Sequence, residues 1–168
     1  MDDARRPGAE FRQTMAAFAS GVTVVSTRWQ GVSHAMTATA FCSVSLDPPL
    51  VLVCVSRQSR FHAAVTQADC WSVSLLSAGQ EGVARHFANS GRRLETQFDE
   101  VPHTLGPVTG APLINDALGW LECTTYGMHD GGDHTILVGQ VERSSRDPAR
   151  KGPLTYYRGT YSQPSDVR

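Results

Sequence analysis

Ala35-Met36-Thr37-Ala38-Thr39-Ala40-Phe41-Cys42-Ser43-Val44-Ser45-Leu46-Asp47-Pro48-Pro49 joins a small-residue, hydroxyl-rich turn to a strand that ends in Pro-Pro. Thr37, Thr39, Ser43 and Ser45 carry hydroxyl donors. Ala38 and Ala40 leave backbone N–H groups open to close approach, a donor arrangement that suits phosphate. The competing reading is a plain strand whose hydroxyls alternate toward solvent. The run that follows, Leu50-Val51-Leu52-Val53-Cys54-Val55, is too short and too β-branched for a helix and reads as a strand buried on both faces.

Upstream, Phe11, Met15 and Phe18 recur at intervals of four and three, which predicts a helix with one apolar face that Gly21 ends in a left-handed cap. Residues 22–27 are rich in β-branched side chains, and Gly31 marks a turn into a second strand, so an antiparallel hairpin leads into the hydroxyl-rich turn. Downstream, Ser59 caps a short helix in which Phe61 and Val65 stack, and a strand follows over 70–76. Ser77 and Gln80 have capping-box spacing for a helix over 78–88, with Val83 and Phe87 toward the core. Gly91, Pro102, Gly106, Pro107, Gly110 and Pro112 interrupt residues 89–116, which predicts a long irregular excursion, functional or packed against a partner. Strands over 118–126 and 134–142, parted by a Gly131-Gly132 turn, and a last one over 154–157 complete the chain.

Strands joined by short turns outnumber helices, which favours a small antiparallel barrel with two or three helices over a doubly wound parallel sheet. No Gly-x-Gly-x-x-Gly follows a strand, so a Rossmann site is a poor reading. The 168 residues, 40% hydrophobic, fit one domain, taken as 11–162 between flexible ends at 1–10 and 163–168. A net charge of −1 and no basic block argue against a nucleic-acid surface. Lys151 is the single lysine among 15 basic residues, so recognition of anions falls to arginine. Cys42, Cys54, Cys70 and Cys123 never form Cys-x-x-Cys and read as reduced core residues. The acidic, then basic start Met1-Asp2-Asp3-Ala4-Arg5-Arg6 has no apolar run behind it, and a cytoplasmic protein without membrane contact is expected. His34, His62, His86, His103, His129 and His134 show no His-x-x-x-His pair, so no metal site is expected.

Four further segments add to the opening stretch: Gly21-Val22-Thr23-Val24-Val25; Gln80 with Ala84-Arg85-His86-Phe87-Ala88; Gly132-Asp133-His134 with Gly139; and Pro153-Leu154-Thr155-Tyr156-Tyr157-Arg158-Gly159-Thr160-Tyr161. In this order and spacing, from about Phe11 to Tyr161, the chain resembles the short-chain flavin reductases, the reductase components of two-component flavin-dependent monooxygenases. The resemblance implies a mainly β fold, a six-stranded antiparallel Greek-key split barrel with flanking helices. It also implies a homodimer with FAD or FMN near the subunit interface.

By that resemblance, Thr37, Ala38, Thr39 and Ala40 lie along the flavin ring and ribityl chain, with Ser43 nearer the phosphate. Ser56, Ser59 and Arg60 meet the phosphate, aided by the helix that Ser59 caps. Phe87 contacts the flavin, although its spacing from Val83 already explains it as core. His134, which alone reads as a turn residue, faces the nicotinamide side and positions the dinucleotide without acting as an obligate acid or base. Tyr157, Arg158 and Tyr161 contact NADH. The implied activity is reduction of FAD or FMN by NADH through hydride transfer to flavin N5, with the reduced flavin passed to a partner monooxygenase. The competing readings are a split-barrel flavoprotein that keeps its flavin and acts on an organic substrate, and a flavin carrier without catalysis.

Overall fold

Val24 and Val25 are both fully buried although they are neighbours, because adjacent strand residues point to opposite faces and both faces of this strand are covered. The structure is a computed structural model and describes residues 8–149 and 152–164. Lys151, and residues 1–7 and 165–168 of the flexible ends expected at 1–10 and 163–168, lie outside the described residues; residues 9 and 10 already belong to a helix. Helix α1 (Ala9–Ala16) precedes strands β1 (Ser20–Gly21), β2 (Thr23–Trp29), β3 (Val32–Ala38), β4 (Phe41–Leu46) and β5 (Pro49–Ser56). Helix α2 (Arg60–Val65), strand β6 (Cys70–Leu75), a single 3₁₀ turn and helix α3 (Glu81–Ala88) follow. The remaining strands are β7 (His103–Leu105), β8 (Pro112–Ile114), β9 (Gly119–Gly131), β10 (His134–Arg146), β11 (Thr155–Tyr157) and β12 (Thr160–Ser162).

The main sheet runs β3-β2-β6-β9-β10-β5-β4 and is antiparallel throughout. It has seven strands where the resemblance implied six, and the chain from 32 to 46 supplies two of them, parted at Thr39-Ala40. β3 and β4 lie at opposite edges of this sheet, yet only two residues separate them. A residue spans at most about 3.6 Å, so the sheet must roll until its edges approach at this link. Among the described residues no ladder joins β3 to β4; at the seam, Cys54 N–H donates to Ala40 O at 3.0 Å.

The two faces of β2 lead to two cores. Val25 joins Val53, Val55, Trp71, Val73 and Leu137, and α2 adds Phe61 and Val65. Val24 joins Val22, Ala35, Leu76 and Ile114, and α3 adds Ala84 and Phe87. The two predicted caps are present: Ser59 Oγ accepts from His62 N–H at 3.1 Å, and Ser77 with Gln80 forms a capping box.

Several expectations are corrected. α1 ends at Ala17 in a right-handed conformation and Gly21 lies in β1, so no left-handed glycine closes this helix. Its apolar face does not reach this chain's core: Phe11 is 68% and Phe18 70% exposed. β5 is buried at Val51, Val53 and Val55 but only half-buried at Leu52 and Cys54, so one face is not fully covered. The turn between β9 and β10 is Gly132-Asp133, with Gly132 at φ 74°, and its strands run further than expected. Residues 89–116 hold a small β7–β8 hairpin and the buried side chains of Gln97, Val101 and Ile114. Of the cysteines, all free, Cys123 alone is fully buried and Cys42 is exposed on the edge strand β4.

Candidate functional site

The link Thr39-Ala40 is exposed and borders a cleft of about 470 Å³, within the usual size range of small-molecule sites. Thr37 to Ala40 give one wall, the β5 end with Cys54 and Ser56 a second, and α2 with Ser59 and Arg60 a third. Met36, Phe61 and Phe87 supply apolar surface, and His134 stands at the start of β10 opposite Ser56.

The hydroxyls here are partly spent on the scaffold. Thr37 Oγ1 donates to Ala84 O at 2.6 Å, tying β3 to α3. Ser59 Oγ donates to Ser56 O at 2.8 Å while it caps α2. α2 has only six residues, so its dipole adds little, and the positive field comes from side chains. Arg60 Nη2 donates to Arg92 O at 2.7 Å. Arg92 in turn donates to Ala35 O, to Asn89 O at 2.6 Å and to Gln97 Oε1 at 3.0 Å, with its guanidinium 5.4 Å from the centre of the Phe87 ring. Burial, and then the charge of Arg60, push the Arg92 pKa down. Neither guanidinium pairs with a carboxylate among the described residues, so an anion entering here would relieve both charges.

His134 Nδ1 donates to Asp133 Oδ1 at 2.7 Å. That hydrogen bond, and then the charge of His134, hold the Asp133 carboxyl below its usual range. With Nδ1 so committed, Nε2 of a neutral imidazole carries the lone pair and accepts. Phe87 contributes to the cleft wall but is 1% exposed and packs on Phe98 at 5.0 Å between ring centres, so its core role is dominant.

Thus Thr37, Ala38, Thr39, Ala40, Ser56, Ser59, Arg60, Phe87 and His134 come together. Ser43, Tyr157, Arg158 and Tyr161 do not line this cleft. Ser43 is exposed on β4. Arg158 donates its N–H to Ala16 O at 3.0 Å and borders a second hollow with Phe11, Met15 and Phe18, which meets the cleft at Thr39 and Ala40. Its guanidinium lies 5.2 Å from the centre of the half-exposed Tyr157 ring. Tyr161 packs on Tyr156 at 5.0 Å and under the Arg85 guanidinium. Arg92 and Ser90 escaped sequence reasoning because they lie in the breaker-rich 89–116 segment; the pointer to them was the unusual length of that segment in a chain that relies on arginine.

A rolled antiparallel sheet with a cleft at its seam, two arginines without acidic partners among the described residues, and an apolar wall suit an aromatic, phosphate-bearing ligand. The chain belongs to the family described as flavin reductase like domain, which matches residues 15–165. It is 46% identical over 146 residues to an NADH-dependent FAD reductase of Streptomyces globisporus, covering 86% of this chain and 80% of that one. Among solved structures, BorF, the flavin reductase component of a bacterial two-component tryptophan halogenase, superposes with a TM-score of 0.90 at 40% identity, covering 96% of this chain and 100% of the other. The Streptomyces globisporus NADH:FAD oxidoreductase SgcE6, in complex with NAD and FAD fragments, gives 0.89 at 39% identity, covering 99% and 100%.

Proposed function

We propose that this chain is an NADH-dependent flavin reductase that takes FAD, or FMN, into the seam cleft and passes the reduced flavin to a separate flavin-dependent monooxygenase. The observation that carries the reading is the pair Arg60 and Arg92, which line a cleft of nucleotide size and have no acidic partners among the described residues. The donor set fits a flavin: Arg60 and Arg92 for the phosphate, Met36, Phe61 and Ala38 for the ring, and the N–H groups at the exposed Thr39-Ala40 link for its polar edge. A bound flavin supplies a hydride acceptor. Backbone N–H groups aimed at the edge where negative charge develops favour reduction, as preorganised dipoles do in other sites. His134, its ring fixed by Asp133, positions the nicotinamide at the cleft mouth and need not move a proton.

The site residues outside the cleft fit a second copy. Phe11 and Met15 on the exposed face of α1, with Phe18 just past its end, border the hollow that adjoins Thr39 and Ala40, so a homodimer would cover it and complete the ligand's surroundings. Arg158, Tyr157 and Tyr161 on the β11–β12 hairpin are then the candidates for the far end of NADH. Cytoplasmic residence agrees with four free thiols, and residues 11–162 form the working domain.

The test is NADH consumption by purified protein with excess free FAD, then FMN, beside its absorbance spectrum. The expected result is rapid turnover by a nearly colourless protein, faster with FAD, the flavin named for the Streptomyces globisporus reductases. A yellow protein whose rate ignores added flavin would instead indicate a retained prosthetic group, and flavin binding without NADH loss a carrier.

A further inference from the structure

β5 ends at Ser56, whose partner on β10 is His134, so the tip of the β9–β10 hairpin projects past the end of β5. The turn residues Gly132 and Asp133 therefore lie beyond the last β5–β10 pair. The next residue of the chain, Arg57, reaches across the gap. Its backbone N–H donates to Asp133 O at 3.0 Å, its Nε to His134 O at 3.3 Å and its Nη2 to Asp130 Oδ1 at 2.5 Å. The same Asp130 oxygen accepts from Gly132 N–H at 3.3 Å. One residue thus grips both strands of the hairpin with its side chain and the turn between them with its backbone.

We infer that Arg57, which does not line the cleft, is a positioning residue that fixes His134 relative to the ligand. The Arg57–Asp130 pair is well exposed, at 47% and 80% of the two side chains, and a pair so wetted adds little to stability. Its geometric effect is larger. The planar guanidinium fork spans two acceptors on different strands at a fixed separation, a constraint that a lysine ammonium does not reproduce. With the tip held, Asp133 and His134 keep their mutual bond, and the imidazole stays at the cleft rim. This rests on the reading that His134 meets the nicotinamide, because that contact gives the position its kinetic weight.

The test compares Arg57→Ala, Arg57→Lys, His134→Ala and Arg57→Ala/His134→Ala in NADH turnover at saturating FAD, with FAD affinity and melting temperature measured alongside. Arg57→Ala is expected to raise KM for NADH by about tenfold, as misplacement of a positioning group does, with kcat, FAD affinity and melting temperature nearly unchanged. Arg57→Lys recovers part of this, and the double variant behaves as His134→Ala alone. Additive effects in the double variant, or an Arg57→Ala protein with ordinary KM where His134→Ala raises it, overturn the proposal. The imidazole is also read directly by nitrogen NMR. Loss of the Nδ1-protonated signature of His134 in Arg57→Ala upholds the brace even if His134→Ala leaves KM alone, which sinks only the nicotinamide contact. An unaltered signature sinks the brace itself.

Discussion

Gly139 lies directly against the indole of Trp71: a methyl group on residue 139 would fall 2.4 Å from Trp71 Cζ2 and 3.0 Å from Cys123 Cβ. Trp71 is fully buried and cannot swing out of the way. Gly139→Ala is therefore expected to destabilise the fold by about 1–3 kcal/mol, the usual cost of overpacking. Urea unfolding followed by tryptophan fluorescence checks this, and an unchanged midpoint would mean that β10 can shift at its bulge beside Val138.

The hydrogen bond from Thr37 to Ala84 couples the cleft wall to α3. Thr37→Val keeps the shape and removes the donor, so stability should fall by about 0.5–1.5 kcal/mol. Flavin affinity should fall with it, because Phe87 and Ala88 on α3 shift relative to Thr39. Quenching of flavin fluorescence on titration reads the second effect separately from the first.

Glu122 is buried and holds the 106–111 turn. Its Oε1 accepts from Val108 N–H and Thr109 N–H, both at 3.0 Å, and from Thr109 Oγ1 at 3.1 Å. Gly106 is packed so closely that a Cβ there would meet the same oxygen at 2.2 Å. Glu122→Ala leaves buried donors without a partner, at about 1–3 kcal/mol for each group left unsatisfied. The expected readout is a lower melting temperature with new proteolytic cleavage between 106 and 111, while turnover per folded molecule is retained because the cleft is lined by other residues.

The thiols should label in a fixed order. Cys42 is exposed and reacts first. The Cys54 thiol is pushed up in pKa by burial and then by Cys42, so it is slower, and bound flavin should protect it because it lines the cleft. Burial, and then Glu142 and Glu122, push Cys123 up to about 12; since the thiolate is the reactive form, it stays silent from pH 7 to 9 until the protein unfolds. Mass-spectrometric mapping after iodoacetamide pulses, with and without FAD, checks the order, and early labelling of Cys123 would contradict this packing.

Local rules carried the sequence reading far. The caps at Ser59 and Ser77 depend on residues within three positions of one another, and each is present. The two-residue turn at Gly132-Asp133 differs from the expected Gly131-Gly132 by a single step, since adjacent glycines do not say which one takes positive φ. The α1 helix exists, but periodicity reports that a face is apolar and not what covers it; Phe11 and Phe18 face outward from this chain. The placement of Cys42 was missed because burial of β4 depends on which sheet edge it occupies, a long-range fact. In the site, contiguous Thr37 to Ala40 were legible, whereas Arg92 arrives from a segment 52 residues beyond Ala40 and is fixed only by its bonds to Ala35, Asn89 and Gln97.

The two-residue seam between the edge strands makes Thr39-Ala40 a clasp as well as a wall. A molecule seated there touches residues on β3 and β5 at once, so its binding energy adds to the force that keeps the sheet rolled, and ligand and fold protect each other by mass action. Saturating flavin should therefore slow amide exchange on β3 and β5 together, and emptying the cleft should let the roll begin to open from that corner.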